Sequence, residues 1–299
     1  MMPNFLVIGA QKAGTTSLYH YLKQHTEVYM SPIKEPHFFA SEGDDLDFRG
    51  PLPQNPGKPL AVTDLEAYRA LFAGVSSETA IGEASPSYLG NPKAPDRIRH
   101  YIPEAKMIAI LRNPAERAYS AYLHRVRDDR EWLDFARALR EEEARVKANS
   151  TPGWYYKRAG FYYPQLQRYY ELFDREQIRV YLYEDLDTDP AGLLLELFAF
   201  LNVDETFVPD TSLRHGVTGI PRSRILRRFI RGSNPVKSFL RRLVRPETRV
   251  KMVTRLNNLN LTKPQMSPEV REALIASYRE DILKLQDLIG RDLSEWLEA

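Results

Sequence analysis

One stretch near the N-terminus limits the fold more than any other part of the chain. Residues 5–18 read FLVIGAQKAGTTSL. Four apolar residues ahead of Gly9 are typical of a strand buried on both faces. Residues 15–17 then offer hydroxyls and backbone N–H groups where a helix begins, so an anion placed there meets unpaired donors and the positive end of the helix dipole. The stretch therefore predicts a strand, a glycine turn and a helix that together cradle a phosphate.

The glycines of this stretch match a nucleotide P-loop, but the residues around them do not. A P-loop carries Lys-Ser/Thr directly after its second glycine. Here Thr15 and Thr16 follow Gly14, and the lysine lies inside the loop as Lys12. The displaced charge indicates a different leaving group and a site without a metal ion. The alternative interpretation is a tight turn between a strand and a helix that carries a solvated lysine.

Strand patterns alternate with helix patterns along the rest of the chain. Strands are predicted at residues 28–30, 79–82, 106–111 and 178–182. Helices are predicted at residues 64–73, from 114 onwards, and at 133–147, 162–173 and 190–201. This alternation favours a P-loop-like, three-layer α/β fold with a central parallel sheet flanked by helices, and we expect one domain over residues 1–299.

Ligands of an open parallel sheet collect outside the carboxyl ends of its strands. The predicted strand ends carry Lys12, Glu83, Arg112 and Glu184. Burial at a strand end could raise the pKa of Glu83 and make it a general base for an acceptor hydroxyl, although such a carboxylate is often only a helix cap. For Glu184 we expect a structural cap or an ion pair.

Arg112 and Ser120 form a second candidate pair, since a guanidinium and a hydroxyl suit a phosphate. They can converge only if the helix after Pro114 folds back over the loop. In the alternative interpretation Arg112 pairs with Glu116 and Ser120 faces solvent. His124 and His37 are further base candidates, although an isolated histidine is more often structural.

Composition excludes several classes of protein. The formal net charge is only +2, so the whole chain is not a polyanion binder and no nucleic-acid partner is expected. The chain contains no cysteine, which excludes disulfides, thiolate nucleophiles and cysteine-ligated metals and fits a reducing compartment. The first residues lack a basic region, and the following apolar run is too short for a signal peptide or a membrane span. We expect an intracellular, cytoplasmic protein.

A basic helical segment is predicted within residues 214–260. Between residues 214 and 251 the chain carries 12 Lys or Arg and one Glu, with apolar residues at helical spacing. These helices could cover the core with a solvated basic face. They could also bind an acidic acceptor or carrier protein, or make peripheral contact with an anionic membrane.

Several motifs resemble the sulfotransferases that use 3′-phosphoadenosine 5′-phosphosulfate (PAPS), above all the heparan-sulfate type and its bacterial relatives. Residues 11–17, QKAGTTS, resemble the 5′-phosphosulfate loop of that family. Residues 111–122, LRNPAERAYSAY, resemble its 3′-phosphate motif. Residues 82–88, GEASPSY, resemble the segment with the catalytic glutamate, and residues 34–39, KEPHFF, are also typical of the family. The resemblance continues to residues 267–297.

The resemblance implies PAPS as co-substrate, no metal ion, and in-line transfer in which Glu83 accepts the acceptor proton and Lys12 stabilises the departing phosphate. The implied nucleotide-binding residues are Lys12, Ala13, Gly14, Thr15, Thr16, Ser17, Arg112, Ser120, Thr262 and Lys263. Lys34, His37 and Tyr88 are implied to bind the acceptor, with His124 as a further catalytic residue. The family's late Lys/Gly-rich loop is reduced here to residues 261–264, LTKP.

We therefore predict sulfuryl transfer to a hydroxyl or amine of a carbohydrate, lipid, small-molecule or carrier-bound acceptor. A P-loop kinase or NTPase is the second interpretation, but it needs a lysine after Gly14 and a strand-borne aspartate for magnesium. The third is a non-enzymatic module that binds nucleotides or docks on membranes.

Overall fold

The computed structural model describes residues 1–44, 61–150, 152–223, 253, 256 and 259–298 of the chain. Most of the predicted basic helices fall in residues 224–252 and lie outside the described residues. The buried apolar side chains form one contiguous cluster that reaches from Phe5 to Trp296. No described helix is long and apolar enough to cross a membrane. The single domain over 1–299 stays a prediction.

Within the described residues, five parallel strands form the larger sheet. They are β1 (Phe5–Gly9), β2 (Val28–Met30), β3 (Ala80–Ala84), β4 (Lys106–Leu111) and β5 (Ile178–Leu182). Their order in the sheet is β2-β3-β1-β4-β5, and Phe5 of β1 lies opposite Gly82 on one side and Lys106 on the other. β1 is buried throughout, as a central strand covered on both faces must be. The predicted α/β fold with a central parallel sheet is confirmed.

The described helices flank this sheet. They are α1 (Thr15–Leu22), α2 (Phe38–Ser41), α3 (Leu65–Ala70), α4 (Ala94–Tyr101), α5 (Pro114–Arg127), α6 (Phe135–Arg140), α7 (Glu142–Lys147), α8 (Tyr163–Tyr170), α9 (Tyr183–Thr188), α10 (Pro190–Leu201) and α11 (Pro268–Ile289). The single helix predicted over 133–147 is wrong, because the chain breaks it into α6 and α7. The buried carboxylate of Glu142 accepts the backbone N–H groups of Lys157 and Arg158 at 2.6 and 2.7 Å, which fixes the start of α7 against another segment.

The third strand is longer than its sequence pattern indicated. The strand predicted at 79–82 continues to Ala84, which pairs with Val7, while Glu83 lies opposite Leu6. Glu83 is therefore inside the sheet and not beyond its end. Its neighbours on the sheet are apolar, and its carboxylate is fully buried.

The strand order places a crevice at the carboxyl ends of β1 and β4. From β1 the chain moves to β2 at one edge, and from β4 it moves to β5 at the other edge, so the connections diverge between these two strands. Ligands of open α/β sheets bind at such a switch point. The loop of residues 10–14 and Arg112 both lie there. A two-stranded antiparallel ribbon, β6 (Ile220–Pro221) with β7 (Leu261–Thr262), packs against α5.

Candidate active site

The loop between β1 and α1 depends on its two glycines. Gly14 has φ 91°, and a Cβ there would lie 2.6 Å from Cδ2 of Leu186. A Cβ on Gly9 would lie 2.6 Å from Cβ of Leu89. Any side chain at either position would push the backbone away from its neighbours. The turn therefore stays tight, and the first N–H groups of α1 are directed out of the helix end at the crevice.

Lys12 lies in this loop with φ 71°. Burial, together with repulsion from Arg127 and Arg112 and against the opposing charge of Glu35, lowers its pKa from 10.5 to about 7. A lysine in this state is easily neutralised, and a bound anion would raise its pKa again. Its ammonium charge is therefore strongest when an anion occupies the loop.

Arg112 connects the second motif to the loop. Its NH1 group donates to the carbonyl of Lys12 at 3.4 Å, and its guanidinium stacks 4.6 Å over the ring of Tyr183. Its NH2 group lies 3.7 Å from the carboxylate of Glu116, so the ion pair of the alternative interpretation is present. The Asn113 side chain accepts the N–H of Ala115 at 3.0 Å and starts α5 directly after Arg112.

Ser120 does not face solvent, and that part of the alternative interpretation is wrong. Its side chain is fully buried, and its hydroxyl oxygen lies 2.6 Å from that of Thr218, with which it shares a hydrogen bond. Ser17 is held in the same way by the backbone of His215. The Ser17 hydroxyl accepts the His215 N–H at 3.0 Å and donates to the His215 carbonyl at 3.1 Å.

Residues 214–218, which we name the crossing segment, thus link the two predicted phosphate motifs. Gly216 has φ 68°, and a Cβ there would lie 3.2 Å from Cβ of Thr16. Arg214 pairs with Asp187, and the rings of His215 and His20 stack with centroids 3.9 Å apart. The sequence pattern placed these residues at the start of a basic helical segment, but residues 214–223 contain no helix. Their contacts with the two motifs were not predicted.

Glu83 and Tyr88 are enclosed in the core. Both are fully buried, and Tyr68 donates its hydroxyl to Glu83 Oε1 at 3.3 Å. Burial raises the pKa of Glu83 to about 7, although Tyr88, Ser85 and Tyr68 hydrogen-bond to it and oppose the shift. The hydroxyl of Tyr88 accepts the N–H of Phe39 at 3.4 Å. The expected acceptor contact of Tyr88 is not available here, because the ring fills the core behind Glu83.

Glu35 was not among the predicted site residues, yet it lies in the crevice. Its backbone φ is 63°, its N–H donates to Ala84 O at 3.0 Å, and 42% of its side-chain surface is exposed. Its carboxylate pairs with Lys34 and lies 3.8 Å from Nε2 of His37. Burial would raise its pKa, but Lys34, His37 and Lys12 lower it overall, so Glu35 is ionised at neutral pH. Its carboxylate also interacts electrostatically with Lys12, so both side chains belong to this crevice.

The two predicted histidines are fixed differently. His37 Nδ1 and the Ser87 hydroxyl lie 2.7 Å apart, and burial lowers the pKa of His37 although Glu35 raises it. His124 Nε2 lies 3.5 Å from the carboxylate of Asp128. Burial lowers the pKa of His124 to about 2, and Lys12 and Arg127 contribute to the shift. A neutral imidazole of that pKa is a very weak proton acceptor at physiological pH.

Thr262 and Lys263 reach the same region from the end of β7. Thr262 of β7 pairs with Ile220 of β6, and the ammonium of Lys263 lies 2.9 Å from Glu116. The predicted contribution of residues 261–264 to the second motif is therefore sterically available. Among the described residues, no group of three or more His, Asp or Glu side chains is arranged to hold a metal ion. A metal-free reaction stays a prediction.

Comparison with known proteins points to one family. The sequence model of the sulfotransferase domain matches residues 2–216. Human bifunctional heparan sulfate N-deacetylase/N-sulfotransferase 3 is 32% identical over 214 residues, which are 68% of this chain and 22% of that protein. Rat carbohydrate sulfotransferase 15 is 29% identical over 250 residues, 68% of this chain and 44% of that protein. The chain thus spans less than half the length of these curated relatives.

A solved structure of similar length gives a closer match. The crystal structure of a sulfotransferase from Alicyclobacillus acidocaldarius is 36% identical in sequence, superposes with a TM-score of 0.79, and covers 100% of both chains.

Proposed function

The chain belongs to the sulfotransferase domain family, as its motifs predicted, and from that premise we propose that it transfers a sulfuryl group from PAPS to an acceptor hydroxyl or amine. One observation carries the proposal. The glycine loop with Lys12, the Arg112 guanidinium bonded to that loop, and the open carboxylate of Glu35 lie at one crevice of the sheet. The crevice thus offers a site for the donor anion, a cation that can stabilise the leaving group, and a base that can accept the acceptor proton.

We propose that the donor lies along the loop and the start of α5. The 5′-phosphosulfate would meet Lys12 and the first turn of α1, residues 13–17, where backbone N–H groups and the helix dipole favour an anion. The 3′-phosphate would meet Arg112 and Lys263. The buried Ser120 would contact it only by giving up its hydrogen bond to Thr218. The fit rests on the Arg112 contact with the Lys12 carbonyl, because it keeps the two anion sites adjacent.

We assign the proton transfer to Glu35 and not to Glu83. The carboxylate of Glu83 has no exposed surface, so an acceptor hydroxyl could reach it only if the core opened. Glu35 is exposed, ionised and electrostatically coupled to Lys12. A general base must come within hydrogen-bond reach of the proton it removes, and geometry therefore outweighs the better matched pKa of Glu83.

In the proposed reaction the acceptor oxygen or nitrogen attacks sulfur in line with the bond to the 5′-phosphate. The new bond to sulfur forms as the bond from sulfur to the phosphate oxygen breaks, and the acceptor proton passes to Glu35. Negative charge then grows on the departing phosphate beside Lys12. Positioned cations at the site of charge development are among the largest contributions to such catalysis.

Lys34 and His37 flank Glu35, and we propose that they contact the acceptor. The names of two relatives refer to heparan sulfate and to carbohydrate, so sugar hydroxyls and amines are the acceptors to test first. Incubation with labelled PAPS and a panel of sugars, lipids and carrier-bound hydroxyls tests the activity directly. Absence of transfer to every member, together with stabilisation by Mg·ATP and not by the product adenosine 3′,5′-bisphosphate (PAP), would favour a kinase instead.

A further inference from the structure

Glu116 stands at the junction of three segments that are far apart in sequence. From the first turn of α5, its Oε2 lies 2.9 Å from the ammonium of Lys263 and 3.7 Å from NH2 of Arg112. Its Oε1 lies 3.9 Å from Nε of Arg271 in α11. A single carboxylate thus faces three cations.

The charges of this cluster do not cancel. Within the described part of the chain, no second carboxylate lies within 4.0 Å of Arg112, Lys263 or Arg271. Burial would raise the pKa of Glu116, but Lys263, Arg112 and Arg271 lower it overall, so the group is ionised at neutral pH. Three cations and one anion leave two positive charges in excess, which match the charge of a phosphate dianion.

Three contacts restrain the guanidinium of Arg112. The Lys12 carbonyl and the Tyr183 ring hold two sides of its guanidinium, and Glu116 holds the third. Lys263 is restrained much less, since 43% of its side-chain surface is exposed and Glu116 is its ion-pair partner in this cluster. Glu116 is therefore the group that keeps the more exposed Lys263, which follows β7, next to the restrained Arg112, which follows β4.

We propose that Glu116 is a positioning residue that holds Arg112 and Lys263 together as one site for the 3′-phosphate of the nucleotide, and thereby sets the preference for 3′-phosphorylated donors. The inference rests on the proposed function. Glu116 itself repels a phosphate, so its contribution is the fixed spacing of the two cations. Loss of the carboxylate frees Lys263, and the cost of ordering this side chain falls on nucleotide binding.

The test compares PAP with adenosine 5′-monophosphate (AMP), which lacks only the 3′-phosphate, by calorimetric titration. Glu116→Gln should weaken PAP binding about tenfold, a coupling typical of contacting charged groups, and should change AMP binding less than twofold. Glu280→Gln removes an equally charged partner from an exposed ion pair with Lys284 on α11 and should leave both affinities unchanged. In an Arg112→Ala background, Glu116→Gln should have little further effect, because the pair no longer exists.

Two further variants guard against a folding defect. Glu116→Asp keeps the charge with a shorter reach and should retain part of the preference for PAP, while Lys263→Met should lose it as Glu116→Gln does. An unchanged ratio of PAP to AMP affinity in Glu116→Gln overturns the inference. Tighter PAP binding also overturns it, since Glu116 would then compete with the phosphate. If the wild-type protein itself does not prefer PAP to AMP, the assignment of the 3′-phosphate under the proposed function fails as well.

Discussion

The two sides of the crevice are built in opposite ways. On the donor side, polar groups are bonded to one another before any ligand arrives: Ser17 to His215, Ser120 to Thr218, and Arg112 to the Lys12 carbonyl. On the acceptor side, the carboxylate of Glu35 is 42% exposed, and its ion-pair partners Lys34 and His37 are its sequence neighbours.

This difference indicates where the protein is preorganised. Groups fixed by long-range hydrogen bonds need no reorganisation when charge develops beside them, which suits a donor that always carries the same phosphates. An exposed carboxylate on a short left-handed turn leaves room for an acceptor. Experiments on each side test the proposed donor and acceptor roles.

The largest effect should come from the acceptor side. Glu35→Gln is isosteric and removes the proposed base, so kcat should fall about 10³-fold, within the range of general acid–base catalysis, while PAP affinity is kept. Glu83→Gln is the matched variant and should stay within about tenfold of wild-type kcat, because that group is sealed in the core. Turnover measured with saturating PAPS decides between them. The reverse pattern would identify Glu83 as the general base.

Lys12 lies between the two sides and should give the next effect. Lys12→Ala should lower kcat by about 10²-fold or more, since the charge is needed where the leaving phosphate develops it. PAP binding should weaken much less. Lys12→Arg should rescue poorly, because the tight turn has little room for a broad planar group. Steady-state kinetics with calorimetry of PAP measure both quantities, and equal losses in rate and binding would contradict the role.

Substitutions on the donor side should weaken nucleotide binding and should not change the preference for an acceptor. Arg112→Ala should weaken PAP about 10- to 100-fold, since hydrogen bonds to charged groups contribute roughly 1.5–3 kcal/mol each. Affinity for AMP should hardly change. Titration of both nucleotides into both proteins gives the comparison. Equal weakening of PAP and AMP would show that Arg112 supports the loop or the fold instead.

A separate prediction concerns stability and tests the raised pKa of Glu83. The pKa of Glu83 is raised from 4.5 to about 7 in the folded protein, so the folded state binds more protons between those values and loses stability as pH rises through them. Glu83→Gln lacks this loss. Relative to wild type, its melting temperature should therefore rise between pH 5 and pH 8, by the equivalent of roughly 3 kcal/mol. A difference that stays flat with pH would contradict the raised pKa.

Activity has its own pH signature. Lys34, His37 and Lys12 lower the pKa of Glu35 below the usual value of a glutamate, so the acid limb of kcat/KM should lie below the ordinary range of that residue. A base with the pKa of Glu83 would place that limb near pH 7. A pH profile of the wild-type enzyme thus distinguishes the two without any substitution.

Much of the fold was predictable because its signals are local. β4 and β5 run over the predicted residues, and α10 begins and ends where its pattern does. Asp64 accepts the N–H of Ala67 at 2.8 Å and caps α3 at the start of the helix predicted over 64–73. The helix over 133–147 failed because the position of α7 is fixed by contacts between Glu142 and a later segment, which no local pattern reports.

The sequence by itself determined the family and the parallel sheet and predicted the residues of the two phosphate motifs, since a glycine turn, an apolar run and a helix cap act within a few residues of each other. Tertiary structure decided the rest. Ser17 meets His215 198 residues away, and Lys263 meets Glu116 147 residues away, so the crossing segment and the cation cluster exist only once the chain has folded. The same holds for the two glutamates: β3 runs two residues further than its pattern and buries Glu83 in the core, and Glu35, with φ 63°, keeps its carboxylate exposed beside Lys34 and His37.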